Sequence, residues 1–69
     1  MSEIMKKIRE DSVMTTYVDW AVNPALDELR QISKYMVEGY ALCLVSKGDI
    51  SAKEYSQLVQ ELEKIGEEE

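Results

Sequence analysis

The sequence predicts an all-α fold, a small three-helix bundle with a C-terminal antiparallel helical hairpin, completed by self-association. Three observations carry this prediction. Apolar residues recur at spacings of three and four along three separate stretches, and two of those stretches are framed by helix start and stop signals. Residues 12–22 are β-branched and aromatic enough to form a strand. No second strand candidate exists to pair with it, and a lone strand leaves its backbone polar groups unsatisfied.

The first helix is expected over about residues 2–22. Ser2 can cap it, and Ile4, Met5 and Ile8 make one face. Val13, Tyr17, Trp20 and Ala21 follow at i, i+4, i+7 and i+8, with a possible break at Asp11 and Ser12. The second helix is expected over about 24–46. Asn23 supplies the cap, and Pro24 occupies the first helical position, where its missing N–H costs nothing. Asp27 and Glu28 suit the positive end of the helix dipole, and Lys47 with Gly48 suits the other end. The stripe Leu26, Leu29, Ser33, Met36, Tyr40 and Cys43 is predicted to face inward, flanked by Ile32, Val37 and Leu44. Gly39 interrupts this helix at a cost of about 1 kcal/mol relative to alanine. The expected reason is close approach of another helix, and the alternative is a kink or a partner contact.

The third helix, over about 52–65, has the clearest start. Ser51 and Glu54 form the S-x-x-E capping box, and Ile50 with Tyr55 can close over it as a hydrophobic staple. Tyr55, Leu58, Leu62 and Ile65 make its apolar stripe, widened by Val59. Gly66 is expected to stop the helix, leaving residues 67–69 as a frayed acidic tail at the unfavourable end of the dipole. The loop between the last two helices is too short for anything but an antiparallel hairpin.

Composition narrows the function classes. Histidine is absent, which removes the commonest general base and metal ligand. The lone Cys43 sits in an apolar run with no histidine to activate it and is expected to be a buried small hydrophobe. Asp19 with Asp27 and Glu28, or Glu61 with Glu63, resemble acid pairs, but residues two apart on a helix do not face each other. No catalytic residue, cofactor site or metal site is expected, and the chain is read as non-enzymatic. No secretory signal is visible after Lys6, Lys7 and Arg9. The longest apolar run, Tyr40 to Val45, is six residues against the roughly 20 needed to span a bilayer. A cytoplasmic protein without membrane contact is expected.

The net charge is −6, and it is uneven. Residues 1–48 carry six basic and seven acidic groups, whereas residues 49–69 carry two and seven. Direct nucleic-acid binding is not expected, because phosphate neutralisation needs clustered Lys and Arg.

A 69-residue chain with no possible internal disulfide buries little more apolar surface than its chain entropy demands. The stretch Tyr35 to Val45 is apolar on almost every side, and two short partner helices can hardly cover it. A homo-oligomer is therefore expected, most simply a dimer, with Tyr35, Met36, Tyr40, Leu44 and Val45 as its interface. The tyrosines and Trp20 suit such a half-wet position, since the chain has no phenylalanine.

Gly48, Ile50, Ser51, Glu54, Tyr55 and Leu58 bring a resemblance into view. This spacing resembles the Gly-x-Ile-Ser/Thr-x-x-Glu-Tyr/Phe-x-x-Leu pattern of the short C-terminal helical module found on many bacterial proteins. Similar hairpins recur in small proteins of Gram-positive bacteria and their phages. The likeness covers about residues 42–65, and capping chemistry alone generates most of it. The long N-terminal segment departs from the module. The resemblance implies a bacterial or phage origin and an interaction role, so the leading expectation is a protein that binds another protein. The alternative is an acidic inhibitor that occupies the nucleic-acid site of a DNA- or RNA-binding protein through Asp49, Glu54, Glu61 and Glu63.

Overall fold

Local capping chemistry divides the chain. The computed structural model describes residues 2–65. The Ser2 hydroxyl accepts from the Met5 N–H at 3.2 Å and opens α1, Glu3–Arg9. Asp11 then ends any continuity: its Oδ1 accepts from the N–H groups of Val13 (2.9 Å) and Met14 (3.0 Å) and starts α2, Ser12–Val22. The helix expected over 2–22 is divided at the break allowed for it, Asp11 and Ser12, because a carboxylate placed to cap a new helix outcompetes propagation of the old one. The β-branched segment is helical throughout.

Asn23 Oδ1 accepts from Ala25 N–H at 2.9 Å, and Pro24 leads a 3₁₀ turn, Pro24–Leu26, before α3, Asp27–Lys47. The cap and proline act where expected, but regular α-helix begins three residues late. Gly48 ends α3 with φ +81°. Its N–H donates to the Val45 carbonyl (3.0 Å), and the Asp49 N–H donates to that of Leu44 (2.8 Å). This pair of bonds is a Schellman motif, and it needs the left-handed residue that glycine supplies without strain. The Ser51 and Glu54 capping box is formed in both directions, at 2.9 and 3.1 Å, and opens α4, Ala52–Lys64. Gly66 and the expected acidic tail at 67–69 lie outside the described residues. Among those residues there are four α-helices and no strand, so the fold is all-α with one helix more than expected.

The helices close a ring. α2 lies along α3 in the largest contact, α4 also packs on α3, and α1 bridges α2 to α4. Polar clips fix the junctions. Arg9 Nη1 donates to Thr15 Oγ1 (3.0 Å) and Asp19 Oδ1 (2.8 Å), tying α1 to α2. Arg30 Nε donates to the Ala21 carbonyl (3.1 Å) and places a cation at the negative end of α2. Lys7 Nζ donates to the Asp49 carbonyl (2.7 Å) and holds α1 against the last loop.

The core comprises Ile4, Met5, Ile8, Met14, Val18, Val37, Ala41, Leu44, Ile50, Leu58 and Leu62. In α1 and α4 this is the predicted face. In α2 the buried residues are Met14, Val18 and Ala21, with Val13 and Trp20 exposed, so the expected stripe is turned by one residue. The stripe of α3 is turned likewise: Ser33 of the expected row is buried, Leu26 and Tyr40 are half-buried, and Val37, Ala41 and Leu44 complete the buried face, whereas Leu29, Met36 and Cys43 face outward. Small side chains explain the choice. Ala21, Ser33 and Ala41 are fully covered, and they let α2 and α3 sit close, which the bulkier neighbouring stripes would prevent.

Candidate interaction surface

The side of α3 turned away from the core is apolar. Ile32 is 59% exposed, Tyr35 62% and Leu42 53%, with Met36 and Leu29 also largely open and Cys43 exposed. At 100° per residue these side chains, with Gly39, occupy one continuous arc opposite the buried row Ser33, Val37, Ala41 and Leu44. Leu29, Ile32, Met36, Gly39 and Cys43 run along it at spacings of three, four, three and four, the repeat of a helix that packs lengthwise against another. A surface helix normally places its polar residues on that arc. Here Glu28 and Ser46 stand only at its ends.

Gly39 lies in the middle of this arc. A Cβ built there would meet no atom within 4 Å among the described residues outside its own helical turn. The close approach of another helix expected at Gly39 is therefore not made among the described residues. α3 is continuous helix through this position, from Asp27 to Lys47. The glycine costs helix stability, and no packing contact among the described residues offsets it.

The residues expected to form the interface divide. Tyr35 and Met36 are on the exposed arc. Leu44 is buried, and Tyr40 and Val45 are partly buried against the core, because the helix is rotated from the expected phase. Leu29, Ile32 and Leu42 belong to the arc and were not expected there. The signal for them was the three-and-four spacing around Gly39, which competes with the stripe one residue over. Cys43, expected in the core, faces outward for the same reason.

The four acidic residues of the alternative reading are not brought together. Glu54 accepts from the Ser51 N–H as part of the capping box. Asp49 sits beside Lys47 at 3.8 Å, with its carbonyl held by Lys7. Glu61 lines a shallow groove with Glu3 and Lys64, and Glu63 lines a different one, between α3 and α4, with Lys34 and Tyr35.

No group of three or more acidic or cysteine side chains is placed to hold a metal ion among the described residues. No helix among them is long and apolar enough to cross a membrane. No protein family, curated protein or solved structure matches the chain, so the likeness of residues 42–65 to the bacterial helical module rests on their capping and stripe residues alone.

Proposed function

We propose that the protein is a small, non-enzymatic helical interaction protein of the cytoplasm that self-associates through the outward face of α3. The observation that carries this reading is the row of large apolar side chains, Leu29, Ile32, Tyr35, Met36 and Leu42, left open on the longest helix. At roughly 100 Å² each they amount to about 500 Å² per copy, as large as the biggest apolar patch of a typical monomer. Pairing two copies removes about 1,000 Å², the size at which a specific interface begins. The net charge of −6 opposes unlimited aggregation of a protein that carries such a face.

The nucleic-acid mimic has less support, because mimicry needs the carboxylates in one array, whereas Glu61 and Glu63 lie on separate flanks of α4, Glu54 is engaged in the capping box and Asp49 lies beside Lys47. Charge substitution on the arc tests the proposal. Ile32→Glu should leave the helical circular-dichroism signal and thermal unfolding of dilute protein unchanged, while abolishing any mass above 7.9 kDa in sedimentation. An Ile32→Glu protein that associates as the parent does would refute this interface.

A further inference from the structure

We infer that two copies pair with their α3 helices antiparallel, about a two-fold axis at the level of Met36 and Val37, so that Gly39 of each copy receives the Ile32 and Tyr35 side chains of the other. This rests on the self-association proposed above and specifies how the face is matched.

Shape gives the first reason. The arc is bulky in its N-terminal half, at Leu29, Ile32 and Tyr35, and has an open space at Gly39 where no atom of the described residues lies within 4 Å. A two-fold interface brings residue i of one copy to residue j of the other and j to i. With the axis between Met36 and Val37, positions 32 to 35 fall opposite position 39, so Ile32 and Tyr35 of each copy face the open space at Gly39 of the other, while the two Met36 side chains meet at the axis and Leu42 packs beside Ile32 of the other copy. A parallel pair would set Gly39 against Gly39 and Ile32 against Ile32, leaving a gap beside a clash.

Charge gives the second. The first turn of α3 carries Asp27 and Glu28 and the last carries Lys47. The antiparallel arrangement places Glu28 of one copy beside Lys47 of the other at both ends and opposes the helix dipoles, whereas the parallel one stacks like ends together. Both orders are on one helix, so no other element has to move.

A distance measurement decides it. In a Cys43→Ser background, Asp27→Cys is labelled with a nitroxide, and the separation between labels is read by pulsed dipolar spectroscopy at a concentration where the protein is dimeric. Asp27 is exposed beside its own Arg30 and about ten residues from the axis, so at 1.5 Å per residue the two labels should be about 30 Å apart. In a parallel pair they should be about 10 Å apart, the distance between packed helices. The expected result is the long distance. A dimer with the short distance overturns the antiparallel arrangement while leaving self-association standing, and a protein that is monomeric by sedimentation overturns both. The parent chain supplies a second readout without that label. Antiparallel copies hold the two Cys43 residues about 20 Å apart along the axis, so mild oxidant should not lock the dimer, whereas rapid formation of a Cys43 disulfide dimer would contradict the arrangement.

Discussion

Gly39→Ala separates the stability of the fold from the strength of association, because the two are predicted to move in opposite directions. The glycine has ordinary helical geometry, since Gly48 alone has a positive φ among the described residues, and a Cβ at position 39 would enter open space. Alanine should therefore gain about 1 kcal/mol of helix propensity without strain. For a domain of this size that is about 4–8 °C in Tm. In the pair proposed above, the added methyl would occupy the space assigned to Ile32 and Tyr35 of the second copy. An overpacking cost of about 1 kcal/mol at each of the two symmetry-related contacts totals about 2 kcal/mol, a loss of about 30-fold in affinity. Thermal unfolding followed by circular dichroism on dilute protein reads the first effect, and sedimentation equilibrium at tens of micromolar reads the second. A variant that melts higher and associates unchanged would refute the role of Gly39 in the interface. One that melts lower when dilute would show that the chain's own packing needs the glycine.

Three further predictions concern the fold that presents this face. Ser33 is fully buried, and its hydroxyl has no hydrogen-bond partner among the described residues, so Ser33→Ala should raise stability by about 1–2 kcal/mol in urea unfolding; a loss would mean the hydroxyl is bonded. Leu58 is completely covered at the centre of the core, and Leu58→Ala should cost about 2–5 kcal/mol, a large share of what a 69-residue chain possesses, visible as loss of cooperative melting. Removing the capping box by Ser51→Ala should cost about 1 kcal/mol and increase amide exchange in the first turn of α4, and an unchanged exchange pattern there would count against the cap.

The sequence showed some of this in detail and some only in outline, for a reason that α4 and α3 illustrate. In α4 one apolar row, Tyr55, Leu58 and Leu62, stands among charged residues, and Ser51, Glu54 and Ile50 fix its start, so both phase and boundary could be read directly. In α3 two rows one residue apart have equal periodicity. Leu29, Met36 and Cys43 look like the better core by size, yet Ser33, Val37 and Ala41 are inside, because proximity to α2 decides and a one-dimensional pattern does not contain it. The same ambiguity exchanged Val13 and Trp20 with Met14 and Val18 in α2. The apolar excess of α3 was legible, and Tyr35 and Met36 lie on its exposed arc. Tyr40, Leu44 and Val45 do not, since a rotation of one residue carries them toward the core.

Self-association of the parent chain is the claim on which the rest depends, and sedimentation equilibrium across a concentration series from sub-micromolar to hundreds of micromolar measures it directly. The weight-average mass should rise from 7.9 kDa toward twice that value and level off there, with one dissociation constant describing the whole series. A mass that stays at 7.9 kDa up to the highest concentration, with the protein folded throughout, would contradict the account.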